Sequence, residues 1–376
     1  MFEEYLPIII VVLFGAVTLI ELAYYYLVYA RFSFARKKNS GSQESVPVSV
    51  VLVVKDAAGT LLKTLPRFLN QQYPQFEIVV VDDNSRDETP LLIKEYQQQY
   101  ANLKLVNLDS AVTTIRGRKF AISMGIRCAS YDHLLFSDPE CAPSSAHWLE
   151  RMAANFSDKK KIILGYSTYE KRNNPFNRML HFDTLINAVQ FFSLASIRST
   201  YRGDGKNMAY TKDLFTKQRG FATHNHISFG EEDIFISRAA TKSNTTIEYS
   251  QDAFTVLQRS ANHSYWKAHK MGLYFTRKYN TKKNAFLLNT YAIVNLLFYA
   301  ALALAIVLTL GTPMLLYIVL GITFVRVVSQ YFVFGFAAKK LNEKQIIPAL
   351  LLYDIIFAVL NPLYFISAKL SSHKYL

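Results

Sequence analysis

The chain has 376 residues, 51% of them hydrophobic, and a formal net charge of +14. That length allows one large domain or two smaller ones. The apolar residues concentrate in long runs, so the whole chain is not one soluble globule. The basic residues cluster beside those runs, which points to anionic lipid headgroups rather than nucleic acid.

Leu6 to Ala30 is almost entirely apolar, interrupted by Glu21. It is too long for a signal-peptide core and its N-terminus is acidic, so it reads as a retained anchor. Phe286 to Leu310, Pro313 to Phe336 (with Arg326 inside) and Ile346 to Ser367 (with Asp354 and Pro362) are similar. The last of these is open between spanning and lying in the interface. Arg31, Arg36, Lys37 and Lys38 follow the first run. Lys267, Lys270, Arg277, Lys278, Lys282 and Lys283 precede the second, and Lys339, Lys340 and Lys344 follow the third. This loop asymmetry places the central domain in the cytoplasm.

Residues 39 to 46 are polar and small and read as a linker. Strands are predicted at Val48 to Val54, Glu77 to Val81, Leu103 to Val106 and His133 to Phe136. Helices are predicted between them, at Leu61 to Gln72, Thr89 to Tyr100 and Phe120 to Ala129. That alternation implies an α/β fold with a mostly parallel sheet. Ligands of such sheets bind at the carboxyl ends of the strands. Asp56, Asp83 and Asp138 all fall there. Asp138 and Glu140 stand two residues apart, a spacing that lets both carboxylates reach one Mg²⁺ or Mn²⁺ shared with substrate phosphates. Cys128 and Cys141, in a cytoplasmic domain, are expected to be free thiols.

Six blocks in order carry a family resemblance: Pro47 to Val54, Gln71-Gln-Tyr-Pro74, Val79 to Ser85, Ser137-Asp-Pro-Glu140, Gly205 to Tyr210 and Gly230-Glu-Glu-Asp233. Over residues 47 to 275 the chain resembles a membrane-bound, inverting family 2 glycosyltransferase with a GT-A nucleotide-sugar-binding fold. The resemblance implies that Asp83 binds the nucleotide base, with UDP-sugars favoured, and that Asp56 lies near base and ribose. Arg118 would approach the donor pyrophosphate, and Asp138 and Glu140 would hold the metal. Asn207 and Glu232 would belong to the substrate site. Asp233 would be the base that takes the acceptor proton. Glu140 departs from the family's second Asp, and Ala57 from its usual acid.

Trp266 to Tyr279 mixes aromatic and basic residues as an interfacial helix does. Trp266 there is either an acceptor contact or a membrane-interface anchor. His269 to Leu273 stand where processive synthases carry Gln-x-x-Arg-Trp, which argues against polymer synthesis. The expected organisation is an anchor at 1–38, a glycosyltransferase domain at 39–265, an interfacial helix at 266–284 and a membrane region with two or three spans at 285–376. The expected reaction moves a sugar to a lipid-linked or saccharide acceptor at a bacterial inner membrane. A processive polysaccharide synthase and an inactive scaffold of the same fold stay open as alternatives.

Overall fold

The computed structural model describes residues 2–36, 45–108, 117–227, 229–258 and 262–371. Most of the expected linker, together with Lys37, Lys38, His373 and Lys374, lies outside the described residues.

The chain begins with α1 (Phe2–Ala23), joined through a wider turn at Tyr24–Tyr29 to α2 (Ala30–Ser33). The first half of the domain alternates strictly: β1 (Val48–Val54), α3 (Ala58–Leu69), β2 (Phe76–Asp82), α4 (Thr89–Gln99), β3 (Leu103–Asn107), α5 (Arg118–Cys128) and β4 (His133–Ser137). Then come β5 (Cys141–Pro143), α6 (Trp148–Ala153), β6 (Ile162–Leu164), β7 (Ser167–Tyr169), α7 (Pro175–Ser196), β8 (Met208–Thr211) and α8 (Lys212–Lys217). The domain closes with α9 (Asp233–Ala239), β9 (Thr245–Ile247), β10 (Thr255–Leu257) and α10 (His263–Thr276). Three long apolar helices follow: α11 (Lys282–Thr309), α12 (Pro313–Lys340) and α13 (Leu350–Leu370).

Seven strands form the main sheet in the order β3-β2-β1-β4-β8-β6-β9. β1 runs parallel to β2 and β4, and β8 is antiparallel to β4 and β6. The β-branched runs of β1 and β2 are buried on both faces, as parallel strands covered by helices must be. β5, β10 and β7 make a second, small sheet. The four predicted strands agree with the structure to within one residue. The helix expected at 61–72 instead covers Ala58–Leu69. It stops early because tertiary bonds claim the next residues. The Gln71 amide donates to Ser145 O (3.0 Å) and accepts from Leu149 N (3.0 Å), while Gln72 N donates to Ala146 O (2.8 Å).

Four helices are long and apolar enough to cross a membrane. α1, α11 and α12 pack on one another through Phe14, Phe298 and Val319 and turn large apolar side chains such as Leu19, Val307 and Phe324 outward. α13 behaves differently. Near its start Tyr353 Oη donates to Pro175 O of α7 (3.2 Å). Further along Tyr274 Oη of α10 donates to Asn361 Oδ1 (2.8 Å), and near its end Ala368 packs on Met271 and Tyr274. The domain thus grips α13 along its whole length.

The charges that interrupt three apolar runs meet in one place. Arg326, fully buried, pairs with Glu21 (2.7 Å) and Asp354 (2.8 Å). Tyr25 Oη donates to Glu21 (2.8 Å), Asn295 Nδ2 donates to Glu21 (3.2 Å), and Tyr299 Oη donates to Asp354 (2.5 Å). Charges at this depth are stable only when paired and hydrogen-bonded.

Candidate active site

The carboxyl edge of β1, β2 and β4 presents the acids found in the sequence. Asp83 follows β2, half-buried; its backbone N donates to Val54 O (2.8 Å), and its side chain has no hydrogen-bond partner among the described residues. Asp56 sits at φ +47° with its carboxylate accepting from Arg86 N (2.6 Å), so it shapes the loop beside Asp83. After β4, Asp138 Oδ1 accepts from Glu140 N (2.9 Å), which sets the turn that carries both acids. Ser137 Oγ donates to Lys206 O (2.9 Å) and ties this turn to the segment before β8.

Arg118 opens α5 directly after Gly117, whose φ of +112° is left-handed and suits glycine. Its guanidinium joins the two acidic groups. It lies 3.6 Å from Asp138, 3.1 Å from Glu231 and 3.9 Å from Glu232. Beside it Lys119 is buried and donates to three carbonyls, His224 O, Ile227 O and Phe229 O, at 2.5–2.9 Å. Those bonds anchor the loop leading to Gly230-Glu-Glu-Asp233. Burial, with help from Lys119 and Arg238, pushes His224 down to about 4, so it is neutral at pH 7.

Asp233 stands at the first position of α9, where the helix dipole favours an acid. Oδ1 is 3.2 Å from Arg202 Nε, and Oδ2 accepts from Thr276 Oγ1 of α10 at 3.0 Å. Burial raises its carboxyl above the usual range, opposed by Arg202 and Thr276. Burial and the neighbouring Glu231 push Glu232 up to about 8. Both adjacent acids are therefore raised above the usual carboxylate range, with Arg202 and Thr276 opposing the rise at Asp233. Any side chain at Gly205 would collide with the Glu232 carboxylate, so that glycine is fixed by close approach. Arg118, Glu232, Asp233, Lys206 and His269 share the wall of one cavity of about 300 Å³.

Two expected site residues lie elsewhere. Asn207 is fully buried; its amide donates to Tyr166 O and Ala253 O and accepts from Trp148 Nε1, so it braces the sheet. Trp266 is buried beneath α13 against Phe357 and Tyr364, donating to Asp183 (2.8 Å). It is neither an open acceptor contact nor a lipid-facing anchor. Arg202, Asp204, Thr276 and His269 line the same cavity as Asp233, and no local sequence pattern marks them. Gly203 and Gly205 flank the half-buried Asp204, and a side chain at either would meet its neighbours closely.

Among the described residues no group of three or more His, Cys, Asp or Glu is arranged to hold a metal. Asp138 and Glu140 offer a pair of half-buried carboxylates on a fixed turn. That all-oxygen set fits a hard cation that also takes phosphate ligands.

Residues 49–224 match the family described as Glycosyl transferase family 2. That matched region is a family 2 glycosyltransferase domain. The chain is 26% identical over 211 residues to Glycosyltransferase AglE of Haloferax volcanii, covering 54% of this chain and 64% of that one. It is 24% identical over 189 residues to the 4,4'-diaponeurosporenoate glycosyltransferase of Staphylococcus haemolyticus, covering 49% and 48%. The matches thus span less than two thirds of the length of these relatives. The fold matches the solved mannosyltransferase PcManGT of Pyrobaculum calidifontis, with GDP-Man and Mn²⁺, at a TM-score of 0.53 and 15% identity, over 91% of this chain and 99% of that one.

Proposed function

We propose that the protein is an inverting glycosyltransferase that moves a sugar from a nucleotide-sugar, a UDP-sugar first, to a membrane-associated acceptor in glycolipid or cell-envelope polysaccharide synthesis. The observation that carries this reading is Arg118 joining Asp138 to Glu231 and Glu232 beside Asp233. Strand-end acids, a guanidinium and a buried base thereby share one cleft. The solved neighbour with GDP-Man and Mn²⁺ supports a nucleotide-sugar and a divalent ion in this fold.

In this reading Asp83 accepts from the base N3–H and Asp56 holds the adjoining loop. Arg118 meets the donor pyrophosphate with forked hydrogen bonds, exchanging its carboxylate partners for phosphate. Asp138 and Glu140 would hold Mg²⁺ or Mn²⁺, which supplies charge neutralisation to the departing nucleoside diphosphate. The acceptor oxygen attacks the anomeric carbon, its proton passes to Asp233, and the bond to the diphosphate breaks on the opposite side. Arg202 and Thr276 aim the Asp233 carboxylate and oppose the rise that its burial causes. A single displacement inverts the anomeric centre.

The basic ends of α2 and α12 support a cytoplasmic domain: Arg31 lies in α2, and Lys340 Nζ donates to Phe32 O (2.8 Å). α13 is tied both to the domain, through Tyr353 and Asn361, and to α12, through the Asp354–Arg326 pair. The test of the function is nucleoside diphosphate release by the purified chain with UDP- and GDP-sugars and Mn²⁺ or Mg²⁺. Release that stops with chelator is expected. No release with any donor would leave the inactive scaffold.

A further inference from the structure

A second cavity of about 300 Å³ lies between α7, α11 and α13. Its lining is mostly apolar, including Phe182 and Ile186 of α7 and Leu297 of α11. Ile293 (57% exposed), Leu297 (46%) and Phe365 (39%) stand at its outer wall, where α11 and α13 face outward. The cavity therefore opens sideways, towards the bilayer that those helices would meet. Its other end is polar. Asn187, Lys270, Tyr274 and Arg277 line both this cavity and a narrow cleft that also contains Asp233 and Arg202. Asp233, Arg202 and Thr276 in turn line the large active-site cavity. An apolar chamber, a narrow polar neck and the base thus follow one another.

The charges at the neck do not cancel. Lys270 pairs with Asp183 (2.5 Å), Arg202 with Asp233 (3.2 Å), and Asp354 with Arg326 (2.8 Å). Arg277 stacks on Tyr274 (4.5 Å to the ring) and has no carboxylate within ion-pair distance among the described residues. One cation is left over at the point where chamber and neck meet. A half-buried guanidinium of this kind complements a phosphate.

We propose that the acceptor is an anionic membrane lipid: its apolar chain occupies the chamber, its phosphate meets Arg277, and its head-group hydroxyl reaches Asp233. The hydroxyl gives its proton to Asp233 as its oxygen takes the sugar and the nucleoside diphosphate leaves. This rests on reading Asp233 as the base and adds the class of the acceptor. It also assigns Lys270 and Trp266 the task of fastening α13 under the domain as one wall of the chamber.

The test uses the full chain in phosphatidylcholine nanodiscs doped with either phosphatidylglycerol or phosphatidylcholine carrying a diazirine in the acyl chain. Crosslinks are mapped by mass spectrometry. Label on Phe182 and Ile186, residues of the catalytic domain, is expected from phosphatidylglycerol. It should fall about tenfold with the phosphatidylcholine probe and in Arg277→Gln, the worth of one charge-assisted hydrogen bond. Ala292→Trp, which fills the chamber from α11, should remove it. Equal label from both lipids would overturn the anionic head. Label confined to outward residues such as Leu19 and Phe324 would overturn the chamber, whether or not the variants fold. Nucleoside diphosphate release by the unsubstituted protein, measured on the same nanodiscs, reports the glycosyltransferase reading separately.

Discussion

Two buried charged clusters lie in this molecule, and they are built on different terms. Around Arg326 the charges are fully enclosed and bonded, each carboxylate to the guanidinium and to at least one phenol or amide. Around Arg118 the pairs are longer, 3.1–3.9 Å, the side chains are partly open to a cavity, and two carboxyls are raised above their ordinary range. The first arrangement fastens apolar helices that, in a bilayer, would have no hydrophobic drive to associate. The second holds acids in unfavourable surroundings, which is what a proton acceptor near neutral pH requires. The two clusters thus differ in satisfaction and in access to a cavity rather than in burial of charge alone.

Breaking each cluster should give opposite signatures. Asp233→Asn should lower transfer by roughly 10² to 10⁴-fold, the usual worth of a positioned base, while the melting temperature and calorimetric donor affinity hold. Full activity in this variant would remove Asp233 from the mechanism. Arg326→Met should do the reverse. Leaving two buried carboxylates without their cation costs about 3–5 kcal/mol, read as a lower unfolding midpoint in detergent. A variant as stable as the parent would show that the membrane cluster fastens nothing.

Smaller effects sharpen the contrast. Asp138→Ala and Glu140→Ala should each weaken Mn²⁺-dependent binding of nucleoside diphosphate about tenfold, the scale of one charged ligand. Affinity that excess chelator does not change would exclude the metal role. The smallest effect is on stability against pH. The carboxyl of Glu232 is raised from 4.5 to about 8, so folding favours its protonated form. That contribution is complete below about 4.5 and is lost as pH rises through about 8. Melting temperature should therefore fall across this window, and Glu232→Gln should flatten the fall. Identical slopes would show that Glu232 is not held protonated.

The comparison also explains what the sequence could disclose. The first half of the sheet was legible because the Val and Ile runs of β1 and β2 are buried on both faces, and Asp83 and Asp138 simply follow them. Glu21, Arg326 and Asp354 were visible as interruptions, but their meeting depends on how three helices cross. Thr276 reaches Asp233 from 43 residues away, and Arg202 reaches it from another loop, so no local pattern joins them. Asn207 lies in a motif block and Trp266 opens the aromatic and basic stretch, but their own polar atoms are used in bracing the fold. α13 has the composition of a span; only its contacts with α7 and α10 tie it to the domain.

The central claim is that Asp233 acts as the base of one displacement at the anomeric carbon. Proton NMR of the first product formed from an α-linked nucleotide-sugar tests it most directly. The account predicts the β-anomer as the initial product. An α-anomer would require a second nucleophile in the cleft and would contradict it.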